Sequence, residues 1–277
     1  MPENWTVLKI LNWSYEYLEK QGIDSPKITS QLLLSNVLSI SRFDLFVKHD
    51  YLLNSIELNK YKEFIVRRIN HEPTEYILGN AEFLGISFQV SPDVLIPRPE
   101  TEELVQVVLD YIENMNDVVV VDIGTGSGAI ACAIKHNYPY IDVFATDISK
   151  SALSVARNNA KNLGLSINFV NDFCVELDAF KKVVIVSNPP YIKSKDILSL
   201  DPEVKDFEPM LALDGGNHGL DVISKIINLP KKNSQIQAII IEVGYDQKNI
   251  IEELLDSVEY EWKKDFQGIN RFIKIQY

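Results

Sequence analysis

The chain has 277 residues, 46% hydrophobic and 24% charged, with a mean hydropathy of −0.04, the balance of a soluble globular protein; no apolar run reaches the roughly 18–20 residues of a membrane helix. The start, Met1-Pro2-Glu3-Asn4-Trp5, lacks the basic and apolar stretches of a signal peptide, so no membrane partner and a cytoplasmic location are expected. The net charge is −12; residues 1–80 carry 9 basic and 10 acidic side chains, leaving 18 basic and 29 acidic, net −11, for residues 81–277, a field that disfavours phosphate backbones and predicts no direct DNA binding.

Residues 4–70 read as helical. Trp5, Leu8, Leu11, Tyr15 and Leu18 form a stripe at helical spacing, Gly22 is a natural stop, and Ile28–Leu38 and Ser55–Ile69 repeat the period. A helical bundle over residues 1–75 is expected. Tyr76-Ile77-Leu78-Gly79 and Phe83–Val90 read as short extended runs with glycines between them, which predicts a β-hairpin linker over 76–95. Ile96-Pro97-Arg98-Pro99 cannot be helix interior, and a helix is expected from Thr101.

From residue 117 strands alternate with helices. Val118–Ile123, Ile141–Thr146, Ile167–Val170, Val183–Val186 and Ala238–Val243 read as strands. Helices are predicted at about 129–137, 149–163, 217–228 and 246–256. The alternation predicts an α/β domain over 96–277 with a mostly parallel sheet. Glu259–Asp265 and Arg271–Tyr277 are joined too briefly for a crossover, so they form an antiparallel hairpin at its end. Five parallel strands closed by such a hairpin resemble the sheet expected of Rossmann-like class I methyltransferases. Cys132 and Cys174 lack metal-ligand spacing and are expected as two small buried thiols rather than a disulfide.

Asp122-Ile123-Gly124-Thr125-Gly126-Ser127-Gly128-Ala129 follows the first strand and opens a helix. Its glycines permit tight turns and close approach of a ligand to the helix N-terminus. Gly124, Gly126 and Ala129 also satisfy a dinucleotide pattern. Asp147 ends the second strand, 19 residues beyond Gly128, where a carboxylate can accept both hydroxyls of an adenosine ribose. The alternative role is an N-cap for the helix from Ser149, and the residue does not separate NAD from S-adenosylmethionine. Phe173, after the third strand, can lie against an adenine ring, with Asp172 accepting from its amino group.

The fourth strand ends in Ser187-Asn188-Pro189-Pro190-Tyr191-Ile192, at the edge of the sheet where open α/β folds bind ligands. This segment decides between the two cofactors. An amide nitrogen is a poor nucleophile because its lone pair is delocalised. Asn188 offers a side-chain carbonyl and Pro189 a backbone carbonyl to fix its N–H groups. Pro189 and Pro190 stiffen the loop, and Tyr191 offers a ring for a flat amide or base.

Asn188-Pro189-Pro190-Tyr191 after Gly124–Gly128 resembles the amino-nitrogen methyltransferases. Glu72-Pro73 with Tyr76–Gly79, Leu95–Glu102, Glu208-Pro209 through Leu213-Asp214-Gly215-Gly216 with Gly219-Leu220, and Asp265–Gly268 with Arg271 narrow this. They look like the HemK/PrmC-type protein-(glutamine-N5) methyltransferases, over nearly the whole chain. The resemblance implies S-adenosylmethionine as cofactor, held by Gly124–Gly128, Asp147, Phe173 and Asn188. Its implied substrate is the glutamine of the Gly-Gly-Gln motif of class-I peptide chain release factors, gripped by Asn188 to Tyr191 and docked by the helical domain. Direct in-line methyl transfer without metal or covalent intermediate is expected. Ribosomal protein L3 glutamine methylation, and more distantly DNA adenine-N6 methylation, are the alternatives. The sequence departs from the family at Thr29-Ser30-Gln31, where Asp-Ala-Glu is usual, and at Phe173, often Trp. Residues 193–216 have few strong apolar positions and are expected to form a mobile lid hinged at Gly215 and Gly216.

Overall fold

The computed structural model describes residues 4–255 and 257–277. Met1–Glu3, from the reading of the chain start, and Asp256, the end of the expected 246–256 helix, lie outside the described residues. The chain divides into two compact units, one running up to Gly79 and including Pro202–Phe207, the other comprising Asn80–Asp201 and Glu208–Tyr277.

The first unit is helical: α1 (Val7–Lys20), α2 (Pro26–Leu38), α3 (Arg42–Val47), α4 (Ser55–Ile69) and α5 (Thr74–Leu78). Capping boxes open α3 (Ser41 with Asp44) and α4 (Asn54 with Glu57), each satisfying N–H groups a helix start leaves free. The buried face of α1 is Val7, Ile10, Leu11, Ser14 and Leu18. This is rotated from the expected stripe, for Leu8 is 49% exposed. The rotation has a polar cause. Tyr61, fully buried, donates to Ser14 Oγ (2.8 Å) and to the Ser30 carbonyl (3.3 Å), so Ser14 must face inward. Thr29, Ser30 and Gln31 are buried too. Gln31 donates to Tyr15 Oη and accepts from Arg42, so this departure from the family pattern is used inside the unit.

The expected extended run at Tyr76–Gly79 is instead the end of α5. Tyr76 and Ile77 are buried, Ile77 in the helical core, and Gly79 at φ +76° stops the helix by donating to the Glu75 carbonyl. Aromatic and β-branched residues favour strands only weakly, and burial overrides the preference.

The second unit opens with the hairpin β1 (Asn80–Phe83) and β2 (Ile86–Gln89), turned by Leu84 and Gly85 at positive φ, as a two-residue hairpin loop demands. Then follow α6 (Pro99–Ile112), β3 (Val118–Ile123), α7 (Ala129–Asn137), β4 (Asp142–Thr146), α8 (Lys150–Asn162), β5 (Asn168–Val170) and β6 (Lys182–Ser187). After β6 come a 3-10 turn (Ser194–Ser199), α9 (Pro202–Lys205) within the helical unit, and α10 (Met210–Leu213). The chain ends with α11 (Asp221–Ile227), β7 (Ile236–Glu242), α12 (Lys248–Glu252), β8 (Glu259–Lys264) and β9 (Asn270–Gln276).

The sheet order is β5-β4-β3-β6-β7-β9-β8, with β3 to β7 parallel and β9 antiparallel to β7 and β8. One face packs on Phe83, Phe88 and the apolar sides of α6 and α7; the other packs on Ile223, Ile226, Ile227 and Ile251 of α11 and α12. Every residue of β3 is buried, as two-sided cover requires. Strand order reverses between β3 and β6, which opens a crevice at their C-terminal ends. Both cysteines are free, Cys132 buried and Cys174 only half-buried.

Candidate active site

A cavity of about 310 Å³ occupies that crevice. It brings together Gly124, Thr125, Gly126, Ser127, Asp147, Phe173, Asn188, Pro189 and Pro190. Two expected site residues are not among its lining. Gly128, at φ +81°, sits where an added Cβ would be 3.0 Å from Ala156 Cβ, so it lets the glycine-rich turn pack on α8. The Tyr191 ring packs on the core beneath α11, with its hydroxyl 3.4 Å from Glu242. The wall from Pro92 to Arg98 also lines the cavity, and residue types alone gave those positions no role there.

The glycine-rich turn is built from the ends of β3 and β4. The N–H groups of Gly124 and Thr125 both donate to the Thr146 carbonyl at 2.9 Å. Asn159 of α8 clamps the turn to the hairpin by donating to the Ser127 and Gln89 carbonyls and accepting from Gln89 N. Gly124 and Gly126 have positive φ, and nothing lies within 4 Å of a Cβ built on either.

Asp122 is completely buried beneath this turn. Its Oδ2 accepts from Thr125 Oγ1 at 2.6 Å, while Oδ1 is buried without a protein partner. Burial pushes its carboxyl up to about 7 from an ordinary 3.8, against the Thr125 hydrogen bond. An unfolded chain ionises this group above about pH 4. The folded ligand-free protein keeps the proton to about 7, so it binds the extra proton in that window and loses stability as pH rises through it. The expected result is a melting temperature that falls between about pH 4 and 7, with a smaller fall in Asp122→Asn. Thermal denaturation of both proteins across that range checks this, and equal slopes would contradict it.

Asp147 Oδ2 accepts from Gly126 N (3.0 Å) and Oδ1 from Ser149 N (2.8 Å). Burial raises its carboxyl pKa, and the two backbone donors oppose that rise. The α8 cap itself is Ser149, whose hydroxyl accepts from Ala152 N. Phe173 is anchored at its carbonyl by Thr146 Oγ1 (3.0 Å), and its N–H donates to Asp172.

On the opposite side, Ser187 Oγ donates to the Ile123 carbonyl and ties β6 to β3. Asn188 Nδ2 donates to Thr101 Oγ1 (2.9 Å), and Thr101 Oγ1 donates to Glu242 Oε2 (2.8 Å). Burial lifts the Glu242 carboxyl to about 7, opposed by Thr101 and Arg271. Gln247 Nε2 donates to the carbonyls of Tyr191 (3.0 Å) and Gly219 (2.9 Å), holding the loop after β6 from behind. Composition and spacing gave no role to Thr101, Glu242 or Gln247. The one available signal was Glu242, a carboxylate closing a run of isoleucines.

The expected glycine hinge takes another form. The Ile192 N–H donates to the Leu213 carbonyl, Gly215 N–H to the Ile192 carbonyl and Ser194 N–H to the Gly216 carbonyl. A Cβ on Gly215 would lie 2.7 Å from the Pro190 carbonyl oxygen, and one on Gly219 would run into that of Tyr191. These glycines are needed for close backbone approach to the Asn188–Tyr191 loop, which they brace.

A seven-stranded sheet of this order, with a glycine-rich turn at its reversal point, defines a class I methyltransferase fold. The catalytic domain of human METTL16 has the same fold (TM-score 0.56, 16% identity, covering 77% of this chain and 81% of that one). Its N-terminal domain crystallised with SAH also aligns (TM-score 0.51, 15% identity, 95% and 94% covered). At such identity the likeness concerns the fold alone. Residues 9–79 match the PrmC N-terminal domain and residues 101–200 the methyltransferase small domain. The release factor glutamine methyltransferases of Koribacter versatilis (35% identical, 97% of each chain) and Geobacter sulfurreducens (37% identical, 90% of this chain and 88% of that one) are similar along their length. That of Clostridium acetobutylicum is 36% identical over 94% of each chain. The chain belongs to the release factor glutamine methyltransferase family and is a methyltransferase.

Proposed function

We propose that the protein methylates the side-chain amide nitrogen, N5, of the glutamine in the Gly-Gly-Gln motif of class-I release factors, with S-adenosylmethionine as donor, in the cytoplasm. The observation that carries this reading is the Asn188 carboxamide, whose nitrogen is spent on Thr101, so that its carbonyl is left to receive an amide N–H. The substrate named for the curated relatives is a glutamine of release factors, which is such an amide.

The cavity chemistry suits this cofactor. Asp93, Asp147, Asp172 and Asp214 line it against a single cation, Arg98. That field attracts a cationic ligand and repels the pyrophosphate of a dinucleotide. The open space over Gly124 and Gly126 admits a ligand against the backbone. Gly124–Ser127, Asp147, Phe173 and Asn188 are the residues assigned to hold it.

Bound S-adenosylmethionine supplies a sulfonium-activated methyl group, so the chain needs no nucleophile of its own. Its residues orient the acceptor. The carbonyls of Asn188 and Pro189 take the two N–H bonds of the substrate amide and aim its nitrogen. Both then favour the positive charge that grows on that nitrogen, and the methylated amide releases one N–H proton to water after the transfer. Pro189 and Pro190 hold the acceptors without rearrangement, and Tyr191 supports the loop from its apolar side.

The test is mass spectrometry of peptides from release factor and from ribosomal protein L3, and of nucleosides from duplex DNA, each substrate incubated with enzyme and S-adenosylmethionine. A single added methyl on the release-factor glutamine is expected. Methylation of L3 or DNA in its place would overturn the substrate assignment.

The helical unit is assigned to docking of the intact factor. Phe43 (74% exposed), Phe46 (60%) and Val47 (60%) lie at helical spacing on one face of α3. Exposed apolar residues grouped in this way mark interaction surfaces. Phe43→Ser with Phe46→Ser is expected to raise KM for intact factor roughly tenfold, as loss of an aromatic anchor does. The rate on a short glutamine-containing peptide stays as in the parent. Steady-state kinetics on both substrates checks this; an unchanged KM for intact factor would place docking elsewhere.

A further inference from the structure

We propose that Thr101 and Glu242 are positioning residues that fix which end of the Asn188 carboxamide faces the cavity. The inference rests on the amide-methylation reading above and names the groups that set the polarity of that site.

A carboxamide is nearly symmetric in shape: its oxygen and nitrogen ends occupy similar space but hydrogen-bond in opposite senses. With the nitrogen toward the cavity, Asn188 would present two N–H donors to a substrate amide that itself offers N–H donors. With the oxygen toward the cavity it presents an acceptor. Shape cannot choose between them, so a neighbour must.

Thr101 makes the choice. Its hydroxyl has one proton. An ionised carboxylate accepts only, and Glu242 Oε2 lies 2.8 Å from Thr101 Oγ1, so that proton goes to Glu242. The hydroxyl oxygen can then only accept. Its second partner is Asn188 at 2.9 Å, which must therefore present Nδ2 to Thr101 and Oδ1 to the cavity. Thr101 is 4% and Glu242 1% exposed, which leaves little room for water to stand in for either. The groups around Glu242 are Thr101 and Glu100 from α6, Tyr191 from the loop after β6, and Arg271 from β9. Burial raises the Glu242 carboxyl to about 7 against the pull of Thr101 and Arg271, so the accepting, ionised form prevails above that pH.

The test has two arms. In the first, kcat and KM for release factor are measured at about pH 8, where Glu242 is ionised, for Thr101→Val, Thr101→Ser, Glu242→Gln and Asn188→Ala. Thr101→Val keeps the shape and removes the relay. It is expected to lower kcat roughly tenfold or more. Thr101→Ser restores most of the rate. Glu242→Gln lets Thr101 donate in either direction and gives a smaller loss in kcat. Because Thr101 acts only through Asn188, the Asn188→Ala, Thr101→Val double variant is expected to be no slower than Asn188→Ala. Parental kcat in Thr101→Val, or losses that multiply in the double variant, would overturn the proposal.

The second arm needs no substrate. The Asn188 side-chain N–H₂ resonances, assigned by their absence in Asn188→Ala, are expected to exchange slowly with water in the parent protein and quickly in Thr101→Val. Fast exchange in the parent overturns the relay even if release factor is not the substrate. An inactive parent with slow Asn188 exchange would instead overturn the substrate assignment and leave the relay standing.

Discussion

Asn188→Ala is expected to abolish methyl transfer while the protein stays folded. The side chain projects from the end of β6, a buried strand bonded on both edges, so the scaffold does not depend on it. Inside the fold it loses one hydrogen bond, to Thr101, which costs about 1 kcal/mol. What the site loses is larger. The acceptor that holds one N–H of the substrate amide is gone, and the amide can rotate away from the methyl group. Removal of one preorganised hydrogen-bonding group from an active site costs about 10²–10³ in rate, and the loss is expected in kcat more than in KM. Single-turnover kinetics with saturating factor, beside a thermal melt, checks both halves. A near-parental kcat would contradict the amide-gripping role; a collapsed melt would make Asn188 structural.

Asp147→Ala is expected to weaken S-adenosylmethionine binding by at least roughly a hundredfold. A carboxylate has about four acceptor positions. Two are used by the N–H groups of Gly126 and Ser149, and two remain for a pair of ribose hydroxyls. Each charge-assisted hydrogen bond is worth about 1.5–3 kcal/mol, and tenfold in affinity corresponds to about 1.4 kcal/mol. The internal pair adds to the effect, because Gly126 is fixed in its cavity-facing turn by the same carboxylate that would meet the ribose. Titration calorimetry gives the result directly. Unchanged affinity would remove Asp147 from the cofactor site and leave it as a brace between the glycine turn and the start of α8.

The lid reading of residues 193–216 changed most on meeting the structure. Their apolar residues are few, which in sequence resembles a free loop. The segment instead contains a 3-10 turn and two short helices, and Arg68 Nη2 in the helical unit pairs with Glu203 at 2.8 Å. Bracing of this kind, by backbone hydrogen bonds and by ion pairs of Lys193, Glu203 and Glu208, leaves no apolar periodicity for a sequence to display.

The sequence by itself determined the elements whose causes are local. The apolar run Val118–Ile123, the glycines at 124, 126 and 128, the prolines at 189 and 190, and the short link between β8 and β9 act through neighbours a few residues away. Their backbone consequences could be read directly, as could the meeting of Asp147 and Asn188 at one edge of a parallel sheet. Tertiary structure alone decided what depends on partners distant in the chain. Tyr61 turned α1 through Ser14, 47 residues away, and burial in the helical core made Ile77 helical. Glu242 reaches Thr101 across 141 residues and Thr101 reaches Asn188 across 87. That relay exists only because the sheet order sets β7 beside β6, with α6 packed against β7. A hydroxyl and a carboxylate become functional there because burial denies them water and leaves each the other as partner, a condition that residue type and spacing do not encode.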